Sequence, residues 1–353
     1  MKKVLLVHND KENIILHYRV KVYSYLSRFL KKRGWGLSVI CSKKDDEFCD
    51  FNYHLADITL KNVIQYVLKN DISTVILFIN MKRWRLFPLI ITLRLLGKKV
   101  IYWGHGKNLQ DESNIAKNFL YKIAFFLSSS ILLYNKISIK KYIPTFWHKK
   151  SYYANNSIDL SDACCLRKPS AVLKELNFEN SFNICVIGRI QERKKIPTLC
   201  DAVRKLKHKN VTLTIIGNIE DQSVLQYKED TNIALLGPIV GAEKYDYLNA
   251  CSLYCLPGTV GLSIVDALCF GKPFIAIDDG VIKHSPEVIY LKDGKNGFLL
   301  NELNVEALVE KISCYINDPS LIERHSSESL NIYRNEANID KMAEGFLKAL
   351  NHV

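Results

Sequence analysis

The sequence lacks any apolar run long enough to cross a bilayer. The longest apolar-rich stretch, Leu86 to Leu96, is eleven residues and includes an Arg and a Pro, whereas a membrane-spanning helix needs about 20 apolar residues. The apolar run Val4 to Val7 is too short for a secretory signal. These absences predict a protein that stays in the cytoplasm.

Cysteine and acidic motifs for metal binding are also missing. None of the ten cysteines forms a C-x-x-C pair or a zinc-ligand spacing, which argues against a disulfide framework or a structural metal. The acidic pairs Asp45–Asp46 and Asp278–Asp279 lack the setting of a metal-binding D-x-D motif. We therefore expect no metal and no bound cofactor.

The positive charge is confined to the first half of the chain. Residues 1–160 hold 27 Lys and Arg against 11 Asp and Glu, a balance of +16, and the remainder holds 22 against 25. Such asymmetry favours a polyanionic partner for the first half, such as an anionic membrane surface, a lipid diphosphate or nucleic acid. Alternatively, the base composition of the genome, which favours Lys, Ile and Asn codons, would explain part of this charge asymmetry.

Apolar strands alternate with amphipathic helices throughout, which predicts two α/β domains with doubly wound, Rossmann-like parallel sheets. The expected domains are residues 1–160 and 174–338, joined by a linker within Ser157–Leu173. A terminal helix over Ile339–Leu350 is expected to pack back on the first domain. The strands expected in the second domain are Phe182–Ile187, Val211–Ile216, Ile233–Leu236, Leu253–Leu256 and Phe274–Ile277.

The most informative motif is a strand-to-helix turn in the second half. The strand Leu253–Leu256 leads into a loop that contains Gly258 and Gly261, and a helix is expected to open at Leu262–Ser263. Backbone N–H groups in such a turn suit a phosphate or a sugar hydroxyl. We therefore expect the loop residues to bind a ligand: Gly258, Thr259, Val260, Gly261, Leu262 and Ser263.

A second motif upstream supplies two cations. Gly188 and Arg189 follow the strand Phe182–Ile187, and Lys194 follows shortly after. Fixed cations can stabilise the charge that develops on a diphosphate leaving group, and Arg can contact two phosphate oxygens at once. The alternative is a solvated basic helix start.

These motifs, taken together, resemble the C-terminal half of retaining glycosyltransferases of family 4, which have the GT-B fold. Arg189 and Lys194 match the family's G-R-x4-K motif, and Asp266 occupies the second acidic position of its E-x7-E signature. The first acidic position is Gly258 here, so we expect the sugar to be held differently. The resemblance continues through segments of the remaining chain, namely Trp103–Gly106, Asn155–Asp159, His284–Glu287 and Asp293–Gly297.

The resemblance implies two domains flanking a cleft and a metal-independent, retaining transfer from a nucleotide-diphosphate sugar. It implies that Asp266 accepts hydrogen bonds from the ribose, that Glu287 and Asn296 lie near the cleft edge of the second domain, and that Glu287 helps to bind the donor. The implied acceptor is a lipid-linked saccharide at the inner face of the plasma membrane. The implied role is the assembly of a bacterial capsule, O-antigen or exopolysaccharide.

The first half offers weaker candidates. His105, flanked by Gly104 and Gly106, is expected at the carboxyl end of a strand, where ligands of open α/β sheets bind, and the resemblance implies a His near the donor sugar. The residues that open the first helix are expected to line an acceptor site: His17, Tyr18 and Arg19. Lys82–Arg85 (KRWR), next to an apolar helix, is typical of an interfacial membrane patch.

Two other functions remain open at this point. A GT-B sugar-nucleotide epimerase would share the architecture, but the sequence shows few acid/base carboxylates for it. A non-enzymatic nucleic-acid-binding protein could use the basic half, but no binding motif with interleaved aromatics is recognisable.

Overall fold

The structure of the protein is a computed structural model that divides into two compact units. Unit 1 comprises Met1–Asp159 with Ile339–Val353, and unit 2 comprises Leu160–Asn338. The described residues are 1–9, 14–44, 48–78, 87–107, 115–164, 166–239 and 241–353.

Unit 1 is a seven-stranded parallel sheet with helices on both faces, in the order β5-β3-β1-β6-β7-β8-β9. Two short strands, β2 and β4, pair separately. The strands are β1 Lys2–Val7, β2 Ile14–Ile15, β3 Trp35–Cys41, β4 Lys43–Lys44, β5 Asn52–Leu55, β6 Thr74–Phe78, β7 Lys99–Gly104, β8 Ser130–Leu133 and β9 Ser151–Tyr153. The helices are α1 His17–Lys31, α2 Leu60–Lys69, α3 Phe87–Leu95, α4 Ile115–Leu127, α5 Lys136–Tyr142 and, from the end of the chain, α12 Ile339–Asn351.

The core of unit 1 lies on both faces of this sheet. Along β1, Val4 and Leu6 belong to one buried apolar cluster, and Leu5 and Val7 belong to the other. Because successive side chains of a strand point to opposite faces, β1 is covered on both sides. This explains why it is a continuous apolar run, as is usual for buried parallel strands.

Helix α12 packs closely against β9 of unit 1. Its buried face includes Met342 and Phe346, and the Phe346 ring lies 5.1 Å from that of Trp103. A Cβ at Gly345 would lie 2.2 Å from the carbonyl oxygen of Tyr153. Glycine is therefore required where the helix meets the strand.

Unit 2 is a six-stranded parallel sheet in the order β12-β11-β10-β13-β14-β15. Its strands are β10 Phe182–Ile187, β11 Val211–Ile216, β12 Ile233–Gly237, β13 Leu253–Leu256, β14 Phe274–Ile277 and β15 Gly297–Leu300. Its helices are α6 Pro169–Glu175, α7 Ile196–Lys205, α8 Lys244–Ala250, α9 Ser263–Cys269, α10 Val305–Asn317 and α11 Pro319–Ile332. The expectation of two Rossmann-like α/β domains is confirmed.

The predicted linker was too long. Unit 2 already begins at Leu160, and α6 starts at Pro169, which the sequence analysis placed in the linker. Proline is favourable there because the first helical residue has no intrahelical use for its N–H. Arg167 ties this segment to unit 2 through ion pairs with Glu175 and Asp246, at 2.6 and 2.8 Å.

The described helices are all too short or too polar to cross a membrane. The interfacial motif Lys82–Arg85 lies outside the described residues, as does the start of the helix predicted from Trp84. The described helix α3 begins at Phe87. The motif therefore stays a prediction.

Replacing Gly345 with Ala should destabilise the protein, although the same change in an exposed helix interior stabilises by about 1 kcal/mol. The new Cβ would collide with backbone atoms of Tyr153 and Ala154, and overpacking of this kind costs about 1–3 kcal/mol. The steric cost should exceed the gain in helix propensity, so urea unfolding should show a free energy of unfolding that is lower by about 1–2 kcal/mol. The control Lys348→Ala, on the exposed side of α12, should change stability by less than about 0.5 kcal/mol. Equal effects of the two changes would contradict the close packing of α12.

Candidate functional site

The first site element is the turn after β10. Gly188 has a φ of +124°, a conformation that L side chains rarely adopt. The next side chain, Arg189, is 63% exposed, and its Nη1 lies 4.0 Å from Glu220 Oε1. An exposed pair at this distance contributes little to stability, so Arg189 can turn toward a bound anion.

Lys194 lies in a short 3-10 turn before α7 and is much more buried than Arg189. Its Nζ donates a hydrogen bond to the carbonyl oxygen of Thr259, at 2.9 Å. Burial first, and then the nearby cations Arg193 and Arg189, together lower the pKa of Lys194 to about 8. The ammonium thus lies in a setting that disfavours its charge and would gain from an anionic ligand.

The loop after β13 is hydrogen-bonded to the backbone of this turn. The N–H groups of Gly258 and Thr259 donate to the carbonyl oxygens of Lys194 and Arg193, each at 2.9 Å. A Cβ at Gly258 would lie 2.1 Å from the Arg193 carbonyl oxygen. No side chain, and hence no carboxylate, fits at this position in the present packing. Close backbone contact therefore explains the glycine where the resembling family has an acid.

Val260 is held from the opposite side. Its N–H donates to Nδ1 of His284, at 3.1 Å, and its carbonyl oxygen accepts from the N–H of Ser285, at 3.0 Å. The His284 Nε2 lies 2.9 Å from the carbonyl oxygen of Ile277. The loop is consequently fixed to two separate segments of unit 2.

These contacts correct the expectation that the whole loop offers N–H groups to a ligand. The N–H groups of Gly258, Thr259 and Val260 are used within the protein, because the loop needs them to close. No hydrogen bond in the described part of the chain uses the N–H groups of Gly261 and Leu262. Ser263 begins α9, which has only seven residues, so the helix dipole is short.

Asp266 lies one turn into α9 and is only 6% exposed. Its Oδ1 lies 3.9 Å from Lys244 Nζ, and within the described residues this oxygen has no hydrogen-bond partner. Burial raises the pKa of Asp266 to about 6, with Lys244 acting in the opposite direction. The carboxylate therefore has an unused acceptor in a setting that disfavours its charge.

Two further residues named by the resemblance are buried in unit 2. Glu287 lies in a 3-10 turn after His284, and its charge raises the pKa of Lys194, which indicates proximity. Asn296 is fully buried, donates to the Tyr290 carbonyl oxygen at 3.0 Å and accepts from the Lys292 N–H at 2.7 Å. Asn296 thus stabilises its own loop, a function that the sequence alone did not indicate.

The candidates of unit 1 lie around the carboxyl ends of its strands. His105 follows β7 directly, after Gly104, and its ring lies 4.7 Å from that of Tyr134. Gly106 has a φ of +86° and donates its N–H to the Tyr102 hydroxyl, at 3.2 Å. His105 is half-buried, as expected for a side chain at the mouth of a sheet.

Arg19 lies near the start of α1. It is buried, and its guanidinium lies 5.5 Å from the rings of Tyr18 and Trp103, within reach of a cation–π interaction. His17 is the first residue of α1, but its side chain lies outside the described part. Arg19 lines a cavity of about 10 Å³ that has room for about one water, together with His8, Tyr23, Phe78, Trp103 and Tyr134.

Within unit 2, the structure thus brings the predicted cations and the glycine loop together. Sequence reasoning missed His8, which follows β1 and has a ring nitrogen 2.9 Å from the Tyr23 hydroxyl. Its position after a buried strand could have indicated it. The contact of His284 with Val260, 24 residues away, had no local signal.

Comparison with known proteins finds a family to which most of the second unit is similar. Residues 181–318 match the family described as glycosyl transferases group 1. A protein described as an uncharacterized glycosyltransferase, from Haemophilus influenzae, is 28% identical over 214 residues, which is 57% of this chain and 56% of that protein. The match therefore spans just over half the length of that relative.

The whole chain shares its fold with solved structures of low sequence identity. Alr3699/HepE from Anabaena, solved in complex with UDP, has a TM-score of 0.75 at 15% identity, with full coverage of both chains. A glycosyltransferase from Rickettsia africae has a TM-score of 0.77 at 14% identity and covers 99% of this chain and 98% of its own. The fold class, GT-B, is confirmed by these neighbours. The cation turn, the glycine loop and Asp266 all lie within residues 181–318, the part of the chain that is similar to glycosyl transferases group 1.

Proposed function

We propose that the protein is a glycosyltransferase that transfers a sugar from a nucleotide-diphosphate sugar to a saccharide acceptor. The first candidate donor is a UDP-sugar. The main support is the hydrogen-bonded pairing of the Lys194 turn with the loop that begins at Gly258. It places the half-buried ammonium of Lys194 beside the loop that leads to the buried carboxylate of Asp266. A nucleoside diphosphate carries both of the complementary groups, a diphosphate and a ribose.

Lys194 and Arg189 would act on the leaving group. When the bond between the sugar and the diphosphate breaks, negative charge grows on the phosphate oxygen. Fixed cations stabilise this charge more in the transition state than in the ground state. The planar guanidinium of Arg189 would contact two diphosphate oxygens, and the ammonium of Lys194 would act as a point charge. In this proposal the two cations do what a metal ion does in other transferases.

Asp266 would accept hydrogen bonds from the ribose hydroxyls. Its Oδ1 is buried without a hydrogen bond in the described structure, and hydrogen bonds to a charged acceptor are stronger than neutral ones. With Gly258 too crowded for a side chain, the sugar would be held by the N–H groups of Gly261 and Leu262. His105 and the acceptor residues His17, Tyr18 and Arg19 stay predictions.

We further propose retention of the anomeric configuration, with a donor phosphate oxygen helping to deprotonate the acceptor hydroxyl. This agrees with the lack of an evident protein base in the sequence. The acceptor would be a lipid-linked saccharide in bacterial surface-polysaccharide assembly. That role places the protein in the cytoplasm, at the inner face of the plasma membrane.

An exposed apolar surface of unit 1 supports the membrane location. On the outer side of α4, Ile115, Phe119 and Phe126 are 84, 60 and 71% exposed, and on α3 Leu95 is 82% exposed. Residues 113–158 contain no Asp or Glu. Exposed aromatic and aliphatic groups among cations are typical of proteins that lie on anionic bilayers. Seven lysines lie in that segment, namely Lys117, Lys122, Lys136, Lys140, Lys141, Lys149 and Lys150.

A thermal-shift screen over UDP-, GDP-, dTDP- and ADP-sugars should find one that stabilises the protein, because ligand binding to the native state raises its stability. Asp266→Asn should weaken that binding about tenfold or more, the effect of losing a charged hydrogen bond worth about 1.5–3 kcal/mol. It should leave kcat nearly unchanged. In the wild type, affinity should fall as the pH drops through about 6, where Asp266 takes up a proton, and the variant should lose most of this fall.

Unchanged donor affinity of Asp266→Asn by calorimetry would reject the ribose contact. Conversion of the donor sugar without any acceptor would indicate an epimerase instead of a transferase. A salt-dependent gel shift with nucleic acid, in the absence of any nucleotide-sugar binding, would favour the non-enzymatic alternative.

Lys194→Ala and Arg189→Ala should each slow transfer by roughly 10²-fold or more, the usual effect of removing one preorganised stabilising donor. Because the pKa of Lys194 is lowered to about 8, the wild type should lose donor affinity as the pH rises through that value. Lys194→Ala should lack this alkaline loss. The matched control is Arg193→Ala, whose side chain bonds Gln191, and it should keep most activity. If Lys194→Ala and Arg189→Ala both keep activity within a few fold of wild type, with folding intact by circular dichroism, the proposed contacts to the diphosphate are excluded.

The protein should sediment with anionic vesicles at low salt and be released at high salt, since surface charges are screened within a Debye length. Phe119→Ser with Phe126→Ser should weaken sedimentation without changing transfer to a soluble acceptor. Val281→Ser, at a position of unit 2 that is 79% exposed, is the control and should sediment like wild type. If anionic and neutral vesicles are bound equally poorly, the charge asymmetry has another cause.

A further inference from the structure

The imidazole of His284 joins two backbone segments at the edge of the glycine loop. Nδ1 lies 3.1 Å from the N–H nitrogen of Val260, and Nε2 lies 2.9 Å from the carbonyl oxygen of Ile277. Ile277 ends β14, and Val260 follows β13. His284 therefore connects the loop to the end of the neighbouring strand.

The two partners allow only one state of the ring. The Val260 N–H can only donate, so Nδ1 must accept and carries no proton. The Ile277 carbonyl oxygen can only accept, so Nε2 must carry the proton. The contact thus requires the neutral imidazole with hydrogen on Nε2. A second proton would place an N–H directly against the N–H of Val260.

No other described contact replaces His284 at this N–H. Val260 is fully buried, so water cannot easily satisfy its N–H when the imidazole is lost. The adjacent Ser285 N–H holds only the carbonyl oxygen of Val260. Gly258 and Thr259 are bonded to the opposite segment. His284 is thus the fixed point on the side of the loop that leads into α9.

We propose that His284 is a positioning residue that holds the glycine loop in its ligand-binding form only while the imidazole is neutral, so that acid releases the loop and weakens donor binding. The effect on the donor rests on the proposed function. The effect on the loop does not.

The surroundings of His284 set the direction of the pH dependence. Burial lowers the pKa of His284, and the Lys194 ammonium lowers it further, while the Ile277 carbonyl oxygen, Asp278 and Asp279 act in the opposite direction. A lowered pKa means that the closed loop resists protonation. The stabilisation is complete above the ordinary histidine pKa of about 6.5. It is lost as the pH falls from that value through the lower pKa of the folded state.

The first test needs no ligand. Nitrogen chemical shifts of the His284 ring should show the tautomer with hydrogen on Nε2 at pH 7.5. Amide exchange at Val260, corrected for the intrinsic effect of pH, should become faster relative to Thr259 between pH 7.5 and 5.5. A proton on Nδ1 at pH 7.5, or protection of Val260 that does not change with pH, would overturn the proposal.

The second test measures UDP binding by calorimetry in an Asp266→Asn background, which removes the carboxylate whose pKa is about 6. Between pH 7.5 and 5.5 affinity should fall, by at most about tenfold, because one proton is taken up over about one pH unit below the ordinary histidine pKa of about 6.5. Adding His284→Ala to this background should give weak UDP binding at both pH values. Adding His284→Gln, which keeps one acceptor and one donor but takes up no proton, should recover most of the affinity that alanine loses and abolish the pH dependence.

The matched control is His208→Gln, at an exposed histidine of the same unit, which should keep the full pH dependence. If His284→Gln keeps that dependence too, the proposal is wrong even though UDP binds. If the wild type binds no nucleotide at either pH, the proposed function fails, and the exchange of Val260 alone decides the role of His284. If His284→Ala does not fold, the glutamine variant still separates the outcomes.

Discussion

Two backbone hydrogen bonds, from Gly258 and Thr259 to the carbonyl oxygens of Lys194 and Arg193, fix the geometry of the candidate site in unit 2. They join segments that follow two adjacent strands, β10 and β13, which pair in parallel. The sheet sets the separation of the strand ends, and the missing Cβ at Gly258 lets the two backbones meet. The ammonium of Lys194 then reaches the Thr259 carbonyl oxygen. Each later feature of the site depends on this contact.

Three titratable groups around the loop share one electrostatic property. Burial lowers the pKa of Lys194 and of His284 and raises that of Asp266. In every case the shift disfavours the charged form. Perturbed groups of this kind cluster at functional sites, although ion-pair networks also produce them. A ligand that brings an anion to Lys194 and hydroxyl donors to Asp266 would favour both charges again, which couples binding to protonation.

The sequence predicted five of the six strands of unit 2, because buried parallel strands are continuous apolar runs, but it missed edge strand β15. Leu253–Leu256 and Phe274–Ile277 have the predicted bounds. Edge strand β5, Asn52–Leu55, was missed because all four residues are exposed and show no such run. Local patterns therefore indicate the core of a sheet better than its margins.

The sequence indicated which residues form the candidate site, but it indicated only some of the contacts between them. The sequence pattern located the glycine loop, the cations and Asp266, since strand ends and glycines are visible locally. The use of the Val260 N–H by His284 depends on a side chain 24 residues away. The crowding at Gly258 depends on backbone from another strand. Such tertiary constraints have no periodicity, so the sequence alone could not show which N–H groups the protein keeps for itself.

The membership of α12 in unit 1 has a consequence for the order in which the chain folds during synthesis. Unit 2 is continuous, from Leu160 to Asn338, whereas unit 1 includes Ile339–Val353. Domains generally fold as units while the chain emerges from the ribosome. Unit 2 can therefore complete its core before α12 is made, while the first 159 residues wait with the surface around Trp103 and β9 uncovered. A nascent chain held at this stage exposes the apolar residues of unit 1 that α12 covers in the folded structure, among them Trp103.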